Sequence, residues 1–545
     1  MDYIFYNMDY IKYAVATIAI IITLNVTAQD GKTVPSTTHK VNTKQMPVNK
    51  RKPNIIYILA DDLGIGDVSC YGADNYKTPN IDKLADNGIR FNRAYTAPLC
   101  GPSRALILTG RYAFRTGATN QDKTGLMKPS DEIMMPTVLK KAGYITSSIG
   151  KWGQLPLGPA EFGFDDYLRF RGSGVYWSKD KKKAEHYILN GVDKVLKDKE
   201  YMPDLMHEHL VEFLAKNKDK PFYVYYPMSH VHATIVPTPD SKPDSKDLFA
   251  DNIAYMDKLV GKLINVLDSL KLRDNTLIVF FGDNGTGGAW ASRSTIGGKQ
   301  LVGKKGEMKE CGSLVPLIAN WPRVITPHKI NNQLIDATDF FPTLAEITGA
   351  KLIEHDTLDG RSFAPALFGK KGNPRDWIFM ELGQEWYVRD SMYKLNRKGE
   401  LYDMHNSPYE EPMIAADTKD AAAIAARISL QGVLDKLNPA GGKLDDGDGS
   451  GRHANKAKNK KHKAVDMEED EVTAPTNEVA SVDSSNLAKV EKYNKLKKKL
   501  GGGDITREKF IASMQDTDKA TKRFDKLDIN HDGILTEEEF VGKGE

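Results

Sequence analysis

Two short runs of β-branched and aromatic residues end in acid. Residues 54–60 read Asn-Ile-Ile-Tyr-Ile-Leu-Ala and stop at Asp61-Asp62-Leu63-Gly64. Residues 276–281 read Thr-Leu-Ile-Val-Phe-Phe and stop at Gly282-Asp283-Asn284-Gly285. Runs this apolar, with no polar alternation, are strands covered on both faces, as in a parallel sheet flanked by helices. In open α/β sheets ligands sit beyond the carboxyl ends of the strands. The two runs therefore deliver three carboxylates and an amide to one end of one sheet. Carboxylates so placed repel unless a cation neutralises them. An all-oxygen set suits a hard ion, Ca²⁺ or Mg²⁺. Either pair alone is explained by a helix cap at Asp61 and Asp62 or by a simple turn at 282–285.

Two further strands end in polar groups. Residues 144–149 lead to Gly150-Lys151-Trp152, and residues 221–226 lead to Met228-Ser229-His230-Val231-His232. A lone lysine or histidine after a strand is ordinarily a solvated or packed residue. Here both follow strands of the same inferred sheet, so they can converge on an anion.

The segment Cys100-Gly101-Pro102-Ser103-Arg104 narrows the chemistry. Proline favours the first turn of a helix and Gly110 can close it. Cys100 is then expected at a helix N-terminus, where free N–H groups and the dipole favour an anion and lower a thiol pKa. The plain alternative is a structural cysteine before an ordinary helix. With both acidic strand ends present, a reactive centre is the better reading.

C-x-P-S-R followed by Leu108-Thr109-Gly110-Arg111 resembles the signature of type I, formylglycine-dependent sulfatases of the alkaline phosphatase-like superfamily. The resemblance runs from about residue 54 to about residue 411. It implies an α/β fold: a mixed, mostly parallel sheet flanked by helices, with a smaller C-terminal α+β subdomain. It implies that Cys100 is oxidised to formylglycine by a maturation enzyme. It places Asp61, Asp62, Asp283, Asn284 and the residue formed from Cys100 around one Ca²⁺. Lys151 would contact the formylglycine hydrate and the sulfate, and His232 aligns better than His230 with the family histidine. The segment 298–316 looks like the family stretch in which a lysine precedes E-G-G-x-R-V-P. Spacing to Glu310 selects Lys305, with Lys304 one residue off. The implied reaction has one hydrate hydroxyl attack sulfur while Arg104, Lys151, Lys305 and the metal hold oxygens. His232 or a neighbouring lysine protonates the leaving alcohol, and the second hydroxyl then expels sulfate. The reaction class is sulfuric ester hydrolysis, with sulfated carbohydrates as the expected substrates.

Some positions depart from the family pattern. Gly153 stands where a histidine that helps eject sulfate is usual, and Gln154 beside it cannot act as a base. His230 is one candidate replacement. Leu314 replaces the arginine of the later motif, and Cys311 replaces a glycine. Two other functions compete. A phosphoester or phosphonate hydrolase of the same superfamily is opposed by the intact cysteine motif. A non-catalytic calcium-dependent binding protein gains weight from Gly153 and Leu314 and is opposed by the complete acidic set and Arg104.

The 545 residues leave room for several domains. A net charge of +3 carries no nucleic-acid footprint. Three cysteines, Cys70, Cys100 and Cys311, exclude a disulfide framework; a Cys70–Cys311 bridge and two free thiols both remain open. Lys12 precedes an apolar run over residues 13–24, and Val26-Thr27-Ala28 resembles a cleavage site. Residues 1–28 are expected to be a signal peptide, with Met8 an alternative start, so the protein is expected to be periplasmic or extracellular. Membrane contact is expected only through that segment if it stays uncleaved as an anchor. Residues 29–51 read as a disordered leader, 52–372 as the catalytic domain, 373–437 as the subdomain and 438–487 as a flexible linker. Residues 488–545 read as an EF-hand pair with a degenerate first hand. In the second, Asp528, Asn530, Asp532, Ile534 (through its carbonyl), Thr536 and Glu539 occupy the ligand positions of a calcium loop, with Gly533 at the sixth. The acidic helix cap is the alternative there.

Overall fold

The computed structural model describes residues 51–447, apart from 171, 179–184 and 353–356, together with Arg452 and parts of the stretch 493–539. The expected signal peptide, leader and most of the linker lie outside the described residues.

In chain order the strands are β1 (Asn54–Ala60), β2 (Ile89–Tyr95), β3 (Ile145–Lys151), β4 (Asp166–Phe170), β5 (His186–Leu189), β6 (Val192–Val195), β7 (Phe222–Pro227) and β8 (Thr276–Gly282). A small hairpin, β9 (Thr295–Ile296) with β10 (Lys299–Gln300), precedes β11 (Leu314–Asn320), β12 (Lys329–Asn331) and β13 (Ile335–Asp336). Among the described residues the central sheet has eleven strands in the order β12-β2-β11-β8-β1-β7-β3-β4-β5-β6, with β13 also on β2. The pairs among β8, β1, β7, β3 and β4 are parallel. β11 runs antiparallel between β8 and β2.

Every residue of β1 is buried. Ile55, Tyr57 and Leu59 enter one hydrophobic cluster, and Ile56, Ile58 and Ala60 enter another. Alternate side chains of a strand point to opposite faces, so the two clusters are the two helix-covered faces of the sheet. This is why β1 shows no polar alternation. The second face is covered in part by Met202–Asn217 and Leu248–Ser269.

A second sheet, fully antiparallel, follows: β14 (Ile378–Leu382), β15 (Glu385–Arg389), β16 (Tyr393–Asn396), β17 (Leu401–Asp403) and β18 (Met413–Ile414). The helix Ala421–Leu437 begins at Asp420, whose Oδ1 accepts from Ala422 N at 2.8 Å. The smaller subdomain expected from hairpin spacing is therefore present. Near the C-terminus, β19 (Ile505–Thr506) pairs antiparallel with β20 (Ile534–Leu535), and the Phe510 and Phe524 rings lie 5.4 Å apart.

Candidate active site

The carboxyl ends of β8, β1, β7 and β3 are neighbours, and each carries one arm of the site. Asp283 follows β8, Asp61 follows β1, residues 228–232 follow β7, and Lys151 closes β3. Hydrogen bonds continue past the strand ends: Asp283 N donates to Ala60 O (2.9 Å), Asp61 N to His230 O (2.8 Å) and Met228 N to Leu59 O (2.9 Å). Asp62 sits in the left-handed region at φ 57°, and its N–H donates to Asp283 Oδ1 at 3.0 Å. Such a conformation costs energy in a non-glycine residue and clusters at functional sites. Gly150 (φ +127°) allows β3 to pass β7, since a Cβ there would meet Pro227 O at 2.1 Å.

The fifth arm is the helix Cys100–Thr109, every residue of which is buried. It stops at Gly110, at φ 68°, whose N–H reaches Leu106 O at 2.9 Å. Arg104 lies one turn after Cys100, on the same face. Its Nη2 donates to Asp283 Oδ2 at 2.7 Å and its Nη1 to Lys151 O at 2.8 Å. Lys151 Nζ is 2.6 Å from Asp61 Oδ2. Lys305 Nζ donates to Asp62 Oδ2 at 3.0 Å and lies 3.1 Å from His232 Nε2. His232 Nδ1 faces the Ala233 carbonyl. An N–H at Nδ1 satisfies that contact.

Three carboxylates therefore face Arg104, Lys151 and Lys305 in a buried pocket. Burial opposes ionisation of Asp61, but Lys151, His232, Arg104 and Lys305 outweigh it and hold its carboxyl well below the usual range. Burial and the adjacent Asp61 push Asp283 up, against the pull of Arg104. Lys151 stays protonated because Asp61 more than offsets its burial. The Cys100 thiol is raised, not lowered as its helix position suggested: burial exceeds the pull of Lys151 and Lys305. The dipole effect expected at a helix N-terminus presupposes a thiol near water, and this one is sealed.

The donor set fits a hard cation. Asp61 Oδ1 and Asn284 Oδ1 are buried without a hydrogen-bond donor. Ligating atoms of Asp61, Cys100 and Asp283 lie within 4.8 Å of one another, as do those of Asp61, Asp62 and His232.

Several alternatives left open by the sequence are separated here. His230 points away from the cluster, with Nε2 3.0 Å from Tyr201 OH and its ring against Tyr176. Burial drops its pKa to about 3. It does not stand in for the histidine missing at Gly153. Lys304 pairs with Glu307 at 3.7 Å, at the surface, and leaves the site to Lys305. Gly153 adopts φ +69°, and a Cβ there would lie 3.5 Å from Arg104 Cδ and 3.6 Å from Lys151 Cε. The position faces the site, but its backbone favours glycine. Leu314 opens β11, and Glu310 instead pairs with Arg389 of β15, while accepting from Tyr95 OH (2.9 Å) and Ser407 Oγ (2.6 Å). Cys70 and Cys311 are free thiols, so the possible bridge between them is not made.

Gln121 was not foreseen. It sits in the turn Gln121–Thr124, capped by Asn120 Oδ1 on Lys123 N at 2.8 Å. Its Nε2 lies 3.2 Å from Cys100 Sγ and its Oε1 accepts from Gly101 N at 2.8 Å. Gln154 Oε1 lies 3.7 Å from the same sulfur. A single glutamine in a polar turn carries no periodicity or spacing signal.

In the C-terminal loop, Asp528 Oδ2 accepts from Gly533 N (3.0 Å), while its Oδ1 is buried with no donor. Asp532 Oδ1 accepts from Ile534 N (2.8 Å), and Glu539 Oε2 from Thr536 N (3.0 Å) and Oγ1 (2.8 Å). Asn530 lies outside the described residues.

Comparison with known proteins agrees with this geometry. The family model described as Sulfatase matches residues 53–350. Arylsulfatase A of Homo sapiens is 32% identical over 387 residues, covering 63% of this chain and 74% of the relative. N-acetylgalactosamine-6-O-sulfatase of Bacteroides thetaiotaomicron is 29% identical over 467 residues, covering 67% and 90%. A solved structure, Ps i-CgsB in complex with k-i-k-neocarrahexaose, aligns with a TM-score of 0.62 at 28% identity, covering 71% of this chain and 93% of that one. The chain belongs to the sulfatase family and is a sulfuric ester hydrolase with an alkaline phosphatase-like fold.

Proposed function

We propose that this chain is an exported, Ca²⁺-dependent sulfatase that hydrolyses sulfate esters of carbohydrates through a formylglycine made from Cys100. The observation that carries this reading is the placement of Cys100 and Arg104 on one buried helix face, against Asp61, Asp283 and Lys151. Asp61, Asp62, Asp283 and Asn284, with the residue at position 100, would hold the cation. When bound, the cation and the aldehyde supply a Lewis-acidic charge and an oxygen nucleophile.

The remaining work falls to the chain's own side chains. Arg104, Lys151 and Lys305 donate to sulfate oxygens in a site that excludes water, where each charge acts more strongly than in solution. Asp283 and Asp61 hold Arg104 and Lys151 in place before substrate arrives. Lys305 and His232, 3.1 Å apart, form the proton-handling edge that serves the leaving alcohol. Glycan substrates are supported by the N-acetylgalactosamine-6-O-sulfatase of Bacteroides thetaiotaomicron and by the neocarrahexaose in complex with the structural neighbour. A second Ca²⁺ is assigned to the C-terminal loop of Asp528, Asn530, Asp532, Ile534, Thr536 and Glu539. Export, to the periplasm or beyond, rests on residues 1–28.

The test is release of sulfate and of phosphate from matched ester pairs, using protein produced with a formylglycine-generating enzyme. Sulfate release abolished by chelation and restored by Ca²⁺ is the expected result. Preferential phosphate release, or sulfate release indifferent to chelation, would overturn it.

A further inference from the structure

Near one edge of the central sheet, β2 reads Ile89-Arg90-Phe91-Asn92-Arg93-Ala94-Tyr95 and carries two arginines. On its neighbour β11, Pro316 lacks the N–H that a ladder needs, and a proline within a sheet falls at an edge or a bulge. The register shifts there. Ala94 faces Val315 and Phe91 faces Leu317, so Asn92 and Arg93 together oppose Pro316 alone. An extra residue of this kind re-aims the side chains around it. Regular alternation would have put Arg93 on the face of Phe91. Instead Ile89, Phe91 and Ala94 enter one core cluster and Tyr95 enters another. The bulge thereby turns Arg93 to the face that carries Arg90 and Tyr95.

Both arginines are half-buried and line a cavity of about 350 Å³, none of whose lining residues belongs to the strand-end cluster. Small-molecule sites span about 300–1,000 Å³. The Arg90 guanidinium lies 5.1 Å from the centre of the Tyr71 ring, and its Nε is buried without an acceptor. Among the described residues neither Arg90 nor Arg93 makes a hydrogen bond or an ion pair. No aspartate or glutamate lines the cavity. Arg389, which also lines it, is by contrast neutralised by Glu310. Asn92 Nδ2 donates to Asn332 Oδ1 at 2.8 Å across the bulge, and Lys299 Nζ lies 5.2 Å from the centre of the Tyr409 ring. A cation taken partly out of water without a counter-charge is costly, and a bound anion would offset that cost. The forked guanidiniums match sulfate oxygens. The side-chain amides match hydroxyls, and the tyrosines offer an apolar body with a polar tip to a sugar ring.

We propose that this cavity is a second saccharide site, which holds a sulfated sugar unit through Arg90 and Arg93. The choice of a sulfated sugar rests on the sulfatase reading above. The site binds and does not react: it retains a sulfated glycan on the enzyme and touches none of the groups assigned to the chemistry.

The test is calorimetric titration of the full chain carrying Cys100→Ala, with and without R90Q/R93Q, so that turnover is not needed. Three probes are used: a monosulfated neutral disaccharide, its unsulfated twin and inorganic sulfate. The chain with both arginines is expected to bind one equivalent more of the monosulfated disaccharide than the R90Q/R93Q chain. At that extra site the unsulfated twin should bind about tenfold more weakly or worse. Equal equivalents at equal affinity in the two chains would overturn the proposal. Inorganic sulfate held as tightly as the disaccharide would also overturn it, because the cavity would then take an ion and not a sugar. R93Q alone provides the same comparison should the double change lower the melting temperature. In the matured chain, R90Q/R93Q should leave kcat/KM for 4-nitrophenyl sulfate unchanged and raise KM for a sulfated polysaccharide about tenfold at constant kcat. An equal fall for both substrates would count against a separate site. An arginine-dependent equivalent in a protein that releases sulfate from no ester would sink the sulfatase reading and leave the second site standing. Sulfate release with equal equivalents in both chains would do the reverse.

Discussion

Carboxylates converge in two regions of this molecule, and the two regions neutralise them differently. At the strand ends, Asp61, Asp62 and Asp283 face Lys151, Lys305 and Arg104, which arrive from a strand, a loop and a helix far apart in sequence. In the C-terminal loop, Asp528, Asp532 and Glu539 accept from backbone N–H groups of their own loop. The first arrangement is fixed by the sheet and its charges are balanced before any cation arrives. The second is local, and its backbone dipoles offset charge only in part. The strand-end cluster is therefore preorganised by the sheet, while the C-terminal loop is held by its own backbone.

Removing one carboxylate should separate the two regions most sharply. D61N leaves Lys151 buried beside a neutral amide, and breaking a buried pair costs about 3–5 kcal/mol. Denaturant unfolding should show that loss, and sulfate release should fall about a thousandfold because Lys151 is no longer held. An Asp61→Asn chain with wild-type stability would break the claim that charge balance organises the strand ends.

The buried Glu310–Arg389 pair isolates the stability part of that effect. R389A should cost about 3–5 kcal/mol, since it strands a fully buried carboxylate. Steady-state assays well below the melting temperature should show a much smaller loss of activity than in D61N. Replacing both partners by methionine should recover most of the stability.

Glu381 offers a smaller, pH-dependent test. It is buried, accepts from Phe114 N at 2.9 Å, and burial together with nearby Asp445 raises its pKa to about 8. The folded state holds this proton after the unfolded state has released it. Stability therefore falls as pH rises from the ordinary glutamate range to about 8, then levels. Melting temperatures across that window should decline in the wild type and decline less in E381Q.

The mildest change is E539Q in the C-terminal loop. One calcium fewer per chain should bind by native mass spectrometry, without a matching fall in sulfate release. A parallel loss of activity would erase the distinction between the two regions.

What could be read from the sequence followed from locality. Asp61 and Asp283 were legible because an apolar strand end is a strong local signal and the sheet rule carries it to the site. The expected calcium loop is a purely local pattern, since its ligand positions fall within twelve consecutive residues. Gln121 was not, because its meaning comes only from a turn folded against Cys100. Arg389 was not, because its partner Glu310 lies far away in sequence, in the short helix Glu310–Ser313 that precedes β11. Residues 443–446 were misread as linker because Lys443, Asp445 and Asp446 are anchored by tertiary contacts to Phe114, Thr119 and Lys123 that composition does not register. The raised Cys100 thiol was missed for a related reason: the helix terminus was visible, and its sealing from water was not.

The most direct measurement is the mass of the tryptic peptide spanning residues 94–104, from protein made with a formylglycine-generating partner and assayed in parallel for sulfate release. The expected result is a peptide lighter than the thiol form by about 18 Da, in a preparation that releases sulfate, whereas ordinary thiol oxidation would make it heavier. A persistent thiol in a preparation that still releases sulfate would contradict the formylglycine chemistry assigned to Cys100.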